Sequence, residues 1–283
     1  MQDFKELTAT WCSNLKAVYS EREARNILLL ALEDVFKFNR SALLISKEID
    51  LSEDQKQQLN EISSRLKTGE PYQYIVGFTY FDDLKIHVAP GVLIPRPETE
   101  ELVTWIDESI QGRPNQKIED WCTGSGCIAL ALKNRNKDAD VSGYDISKEA
   151  LDISLKNAQE LNLEVRFSIQ NALNPSADQK ADVIVSNPPY IPWKEKEEMH
   201  LNVTEFDPDL ALFVPNNDPL LFYKALANYA SKSLSKDGML FFELHENYAL
   251  ETKEMVEQLG FSFVEVRTDL QGKQRMLKGQ WSV

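Results

Sequence analysis

Several things are scarce in this sequence. It holds three cysteines, Cys12, Cys122 and Cys127. An odd set without framework spacing argues against structural disulfides and fits a reducing compartment. Cys122 and Cys127 form a lone C-x4-C with no second Cys or His pair, so small buried residues explain them better than a metal site, and no metal is expected. No apolar run approaches the length of a membrane span. The opening MQDFKELTATWC lacks the apolar core of a signal peptide. A cytoplasmic protein with no membrane partner is expected. Internal repeats and low-complexity segments are lacking as well. Histidine is sparse, and His87, His200 and His245 scatter over separate segments, so none is assigned to catalysis.

Basic residues are also short, 31 Lys+Arg against 45 Asp+Glu. Of the net charge of −14, residues 1–75 carry −2 and the remainder −12. Such a surface repels a nucleic-acid backbone, so no direct nucleic-acid partner is expected.

What is present is enough for folded domains. The 283 residues, 42% of them apolar, suit one large or two modest domains. Residues 1–70 read as helices. EREARNILLLALEDVF places Ala24, Ile27, Leu28, Ala31, Leu32 and Val35 at helical spacing. LSEDQKQQLNEISSRLKTG begins with Ser52 as an N-cap and ends at Gly69, with a short helical stretch, RSALLISKEI, before it. From Pro71 the composition shifts, and YQYIVGFTYFDDLKIHVAPGVLIP reads as a hairpin or a pair of short strands. Helix and strand patterns then alternate to the end: KIEDW, DVSGYD, EVRFSI, ADVIVS, GMLFFEL and FSFVEV as strands between helices, with RMLKG as a closing strand. That alternation predicts an α/β fold with a largely parallel, doubly wound sheet. Three parts follow: a helical domain over 1–72, a linker hairpin over 73–96 and an α/β domain over 97–283.

EDWCTGSGCIAL joins a strand to a helix through Gly124 and Gly126, which let the backbone turn tightly and approach a ligand. Asp145 follows at the end of the next strand, 19 residues after Gly126, where an acid can accept from both hydroxyls of a ribose. The full G-x-G-x-x-G fingerprint is absent, so a ligand without pyrophosphate, such as S-adenosylmethionine, fits better than a dinucleotide.

SNPPY, residues 186–190, ends the fourth strand of this unit. Prolines have no N–H to continue a ladder, so the strand stops and a stiff turn takes over. In such folds ligands bind at the carboxyl ends of strands, which places Asn187 on the same crevice as Gly124 and Asp145. The Asn187 side-chain oxygen, the Pro188 carbonyl and the flat ring of Tyr190 match a planar NH₂ group that donates two hydrogen bonds. Two such bonds localise the nitrogen lone pair toward a methyl donor, and no strong general base is required. Asn187, Pro188 and Tyr190 are therefore the catalytic candidates. IPRPETE suits a helix start, with Pro97 in the first turn and Glu98, Glu100 and Glu101 at its positive end. Arg96 is not explained that way and is expected to help close the site.

Taken together, GVLIPRPETEELV, TGSG and NPPYI resemble the HemK/PrmC family, the peptide chain release factor glutamine methyltransferases. The likeness spans almost the whole chain. GEPYQYIVGFTYF looks like the family's linker hairpin, and FDPDLAL, DPLLFYKAL and GKQRM lie where its C-terminal motifs occur. The resemblance implies a class I, Rossmann-like methyltransferase domain behind an all-helical domain that recognises the substrate. It implies S-adenosylmethionine as donor and, as acceptor, the Gln of the Gly-Gly-Gln loop in class-I release factors. By position, Cys122, Thr123, Gly124, Ser125 and Gly126 would contact the methionine part of the donor and Asp145 its ribose. Asn171 and Ala172 would border the adenine. Asn187, with Pro188, Pro189, Tyr190 and Arg96, would meet the substrate amide, Asn187 also touching the donor. Three positions depart from the family: Cys122 and His245 stand where Gly is usual, and Asn171 where an acid is. NPPY is shared with adenine-amino DNA methyltransferases. An amino-group methyltransferase acting on nucleic acid or another protein, or a catalytically weak binding module, is the alternative. A monomer is expected.

Overall fold

The computed structural model describes residues 2–176, 180–199 and 201–282. Contacts divide the chain into two compact units, Met1–Gly77 and Phe78–Val283.

The first unit runs β1 (Gln2–Asp3), α1 (Phe4–Leu15), α2 (Glu21–Asp34), α3 (Arg40–Ile45), β2 (Glu48–Ile49), α4 (Glu53–Leu66) and α5 (Tyr72–Val76). Side chains set where its helices begin. Ser20 with Glu23, and Ser52 with Gln55, form reciprocal capping boxes that satisfy orphan N–H groups at the starts of α2 and α4. Ala24, Leu28, Ala31 and Leu32 then fall on one face of α2 and pack with Trp11, Leu15, Leu59, Ile62 and Leu66. The Trp11 indole nitrogen donates to the Ala24 carbonyl at 2.8 Å, so the ring is buried without an unmet donor. A two-residue antiparallel pairing of β1 with β2 is present that the helical reading of residues 1–70 did not include.

The stretch YQYIV is a helix, not the strand its aromatic and β-branched residues suggest. Strand propensity reflects a fit to a pleated, half-buried surface, and here no strand is offered for pairing. Pro71 precedes the turn and Gly77, at φ 81°, ends it. Tyr72 and Tyr74 are buried, and the Tyr72 hydroxyl donates to Asp34 at 3.2 Å. The hairpin begins only after Gly77, as β3 (Phe78–Phe81) and β4 (Leu84–His87). Its turn residues Asp82 and Asp83 both have positive φ, 51° and 61°, the form that matches strand twist.

The second unit continues through α6 (Pro97–Ile110), β5 (Lys117–Trp121), α7 (Cys127–Arg135), β6 (Asp140–Asp145), α8 (Lys148–Leu161), β7 (Arg166–Ile169) and β8 (Ala181–Ser186). After β9 (Ile191–Pro192) come the short helices α9 (Leu201–Thr204) and α10 (Asp209–Leu212), and β10 (Phe213–Val214). α11 (Leu221–Ser233), β11 (Leu234–Glu243), α12 (Ala249–Gln258), β12 (Ser262–Thr268) and β13 (Gln274–Gln280) complete it. Seven strands form one sheet in the order β12-β13-β11-β8-β5-β6-β7. β13 alone runs antiparallel to its neighbours. The chain winds outward from β5 to β7, returns to pair β8 on the other side of β5, and winds on to β11. The β5/β8 boundary is therefore the topological switch point, where a crevice opens at the carboxyl ends. Helices cover both faces, which is why Val183–Val185 of β8 and Met239–Phe242 of β11 are unbroken apolar runs. Trp121, Ile184, Tyr223, Leu226, Leu240, Phe242 and Leu277 form the core of one face.

Gly143, in mid-β6, lets the sheet pack close to the crevice. A Cβ there would stand 2.5 Å from the Phe167 ring and 2.8 Å from Thr123 Oγ1. Gly143→Ala is expected to lower the unfolding free energy by about 1–3 kcal/mol, from overpacking. Urea denaturation measures it, and an unchanged midpoint would show that Phe167 yields freely.

Candidate active site

The site is assembled where β5, β6 and β8 end. Leaving β5, the chain turns through Cys122, Gly124 and Gly126, all at positive φ: 61°, 54° and 81°. A Cβ on Gly126 would lie 3.0 Å from both Phe167 and Ser154, so this glycine permits α7 to pack against its neighbours. A Cβ on Gly124 would meet nothing within 4 Å, so its outer side is open. Cys122 holds the left-handed backbone without glycine's freedom, at a cost of roughly 1–3 kcal/mol. The turn is thus kept with a side chain in it, one that packs against the apolar core, while Cys122 is among the residues lining the crevice.

Two carboxylates organise this loop. Asp145, ending β6, accepts from the Gly124 N–H at 2.9 Å through Oδ2 and from the Ser147 N–H at 3.0 Å through Oδ1. Burial raises its pKa, and these backbone donors oppose the rise. Asp120 lies within β5, fully buried. Its Oδ2 accepts from Thr123 Oγ1 at 2.5 Å and from the Ala129 N–H at 3.2 Å, while Oδ1 has no partner among the described residues. Burial pushes the Asp120 carboxyl up to about 7, against those two donors. Asn157 of α8 braces the loop from behind, donating to the Ser125 carbonyl at 2.9 Å and exchanging hydrogen bonds with the His87 backbone.

The crevice is a cavity of about 210 Å³. Of the expected site residues, Cys122, Thr123, Gly124, Ser125, Asp145, Asn171, Ala172, Asn187, Pro189 and Arg96 line it together. Gly126, Pro188 and Tyr190 are not among its lining residues. Asn171 closes a local turn, its Oδ1 accepting from the Leu173 N–H at 2.9 Å, which leaves one lone pair of that oxygen for a ligand. Asn187 donates through Nδ2 to Thr99 Oγ1 at 3.4 Å. The Tyr190 hydroxyl donates to Glu243 Oε1 at 3.1 Å, and its ring meets His245 edge-on at 5.9 Å. Arg96 pairs at 2.8 Å with Asp207, whose side chain is 2% exposed. The pair ties the start of α6 to the segment whose Pro208, Leu210 and Ala211 line the cavity.

Thr99, Glu243, Asp207 and Asp120 were not singled out from the sequence. Thr99 sits among acids that the helix dipole already explains. For Glu243 the sequence carries a signal, an acid closing an otherwise apolar run; Asp120, in the mixed strand KIEDW, carries none. His87 pairs with Glu160, and His245 Nε2 lies 3.0 Å from Glu195. Neither lines the cavity, and His200 lies outside the described residues. No cluster of metal-ligating side chains is found among the described residues, nor any helix long and apolar enough to cross a membrane.

Sheet order, switch-point crevice, glycine turn and strand-end acid together define a class I methyltransferase. The fold is shared with a methyltransferase from Pyrococcus furiosus (17% identity, TM-score 0.53, covering 82% of this chain and 100% of that one). It is also shared with a T. thermophilus 16S rRNA methyltransferase solved with AdoMet and guanosine (18%, TM-score 0.51, 72% and 49%). Family profiles described as PrmC N-terminal domain and Methyltransferase small domain match residues 6–77 and 98–205. Proteins named release factor glutamine methyltransferase from Flavobacterium psychrophilum and Bacteroides thetaiotaomicron are each 39% identical, over 93% and 96% of this chain and 94% and 98% of their own. One from Lactococcus lactis is 34% identical over 94% of this chain and 98% of its own. The chain belongs to the release factor glutamine methyltransferase family, whose members are S-adenosylmethionine-dependent enzymes.

Two outcomes are expected from this loop. Cys122→Val should destabilise by about 2 kcal/mol, because a β-branched residue tolerates φ 61° poorly, whereas Cys122→Gly should not destabilise. Equal losses in urea titrations would refute a backbone cause. For Asp120, the native carboxyl titrates near 7, above its unfolded value near 3.8, so the native state binds more protons between those values. Stability from this group is present below the unfolded value and is lost as pH rises toward 7. The stability of Asp120→Asn relative to the parent should therefore increase from pH 5 to pH 8. A pH-independent difference would mean that Asp120 is ionised throughout.

Proposed function

We propose that this chain methylates the side-chain amide nitrogen of the Gln in the Gly-Gly-Gln loop of class-I peptide chain release factors, in the cytoplasm and as a monomer. The observation that carries the reading is the position of Asn187. A neutral amide at the end of β8 shares one cavity with the glycine turn and Asp145, in a chain similar along its length to release factor glutamine methyltransferases.

The residues fit the donor. The open side of Gly124 leaves room that a Cβ would fill. Thr123, Gly124, Ser125 and Cys122 would hold its methionine part, with Gly126 keeping the turn. Asp145, oriented by two backbone N–H groups, retains lone pairs for the ribose hydroxyls. Asn171 and Ala172 would flank the adenine. When bound, S-adenosylmethionine supplies an electrophilic methyl group on a sulfonium.

The chain's own part is to prepare the acceptor. An amide nitrogen is a poor nucleophile because its lone pair is delocalised. Asn187 Oδ1 accepts one N–H of the acceptor, and the Pro188 backbone carbonyl accepts the other, which localises the lone pair and aims it. Pro189 walls the cavity. Tyr190 anchors the motif through its hydroxyl. Among the described residues that line the cavity, only Arg96 and Asp145 carry full charges, and Asp145 accepts from the loop through Oδ2. That composition suits a reaction in which the proton leaves after transfer, without a dedicated base. Arg96, through Asp207, holds the wall formed by Pro208, Leu210 and Ala211. The helical domain engages the body of the release factor. The acidic balance disfavours a nucleic-acid acceptor.

Mass spectrometry of a release factor incubated with the protein and S-adenosylmethionine tests this. One methyl group is expected on the Gly-Gly-Gln glutamine. Asn187→Ala should lower turnover by a factor equivalent to roughly 2–4 kcal/mol in the barrier, with donor affinity retained. No methyl gain, with donor binding confirmed by calorimetry, would shift the assignment to another amino acceptor or to a binding role.

A further inference from the structure

Glu243 ends β11 after the apolar run Met239–Phe242, and it is 2% exposed. Its carboxylate is met by two hydroxyls from two other elements. Thr99 Oγ1, from the first turn of α6, donates to Oε2 at 2.5 Å, and the Tyr190 hydroxyl donates to Oε1 at 3.1 Å. The same Thr99 oxygen stands 3.4 Å from Asn187 Nδ2.

We propose that Glu243 is a positioning residue which, through the Thr99 hydroxyl, selects the orientation of the Asn187 side-chain amide, and through Tyr190 holds the other end of the same motif. The proposal rests on the reading of Asn187 given above.

The argument is one of donor count. A carboxylate has no proton to give, so each hydroxyl facing it must donate. Thr99 has a single hydroxyl proton, and Glu243 takes it. Toward Asn187, Thr99 can then offer only lone pairs. An amide can satisfy a lone pair only with its NH₂ side, so Nδ2 faces Thr99. Because the amide is planar, Oδ1 is turned away from Thr99 and is left to accept from the substrate. In the reverse orientation Asn187 would present N–H groups to the N–H groups of an acceptor amide, and Thr99 would face an oxygen with no proton left to share. Thr99 and Glu243 are each 2% exposed, so the bond between them is buried. Burial raises the Glu243 carboxyl pKa, and the Thr99 and Tyr190 hydroxyls and the Arg275 charge oppose the rise. The orientation of a neutral group that touches substrate is thus set by a charge that does not.

Glu243→Gln removes the constraint, because a glutamine can donate to Thr99 and free its proton for Asn187 Oδ1. Single-turnover rates and donor dissociation constants would be measured for Glu243→Gln, Thr99→Val and Thr99→Ser, each alone and combined with Asn187→Ala. Glu243→Gln and Thr99→Val are expected to slow methyl transfer by about 10- to 100-fold with donor affinity retained, and Thr99→Ser to preserve the rate. In the Asn187→Ala background neither should slow it further. Full activity of Glu243→Gln or of Thr99→Val, or losses that multiply with Asn187→Ala, would overturn the relay while leaving the reading of Asn187 intact. If Glu243→Gln does not fold, Thr99→Val against Thr99→Ser decides. Full activity of Asn187→Ala alone would instead overturn the reading on which the relay rests.

Discussion

The hydrogen bonds converging on the Glu243 carboxylate join three chain ends: the exit of β8, the start of α6 and the end of β11. An unpaired buried charge is costly, so these elements are held to one another as firmly as the charge needs its donors. The requirement reaches further. Pro97 starts α6 where Thr99 falls on the buried side, and Pro188 and Pro189 stop the β8 ladder so that Tyr190 is carried across to the same carboxylate. The proline-rich segments on either side of the crevice are therefore two halves of one arrangement. Each is stiff for the same reason, a fixed φ and a missing N–H.

Around this point the crevice is shaped by acids rather than bases. Asp120, Asp145 and Glu243 all lie at or near carboxyl ends of strands, and burial raises the pKa of each. Backbone N–H groups and hydroxyls offset that cost, and Asp145 in turn fixes the glycine loop. Of the neutral amides that line the cavity, Asn171 and Asn187 have unequal freedom. Asn171 is occupied by its own turn, whereas Asn187 is anchored through its nitrogen and keeps its oxygen.

Cys122 shows how a departure from a family pattern can be read physically. The backbone there is left-handed, the form glycine adopts most readily, and the loop keeps that angle with a thiol in place. His245, the other departure toward a larger side chain, packs edge-on to Tyr190 and pairs with Glu195, so it buttresses the motif from outside the cavity.

Local chemistry was legible in the sequence because it is written in neighbouring residues. Apolar spacing gave the helices, strand–helix alternation gave the doubly wound sheet, and the glycine turn, Asp145 and SNPPY marked the crevice by their places at strand ends. YQYIV departs from the strand its composition suggests because a five-residue aromatic run has no period of its own, and whether a pairing edge is offered is decided elsewhere in the chain. Tertiary structure alone brought Thr99, Tyr190 and Glu243 together across 144 residues of sequence, and Arg96 to Asp207 across 111. The physical reason is that a buried carboxylate takes its donors from whatever elements the fold places around it. No spacing rule along the chain records which elements those will be.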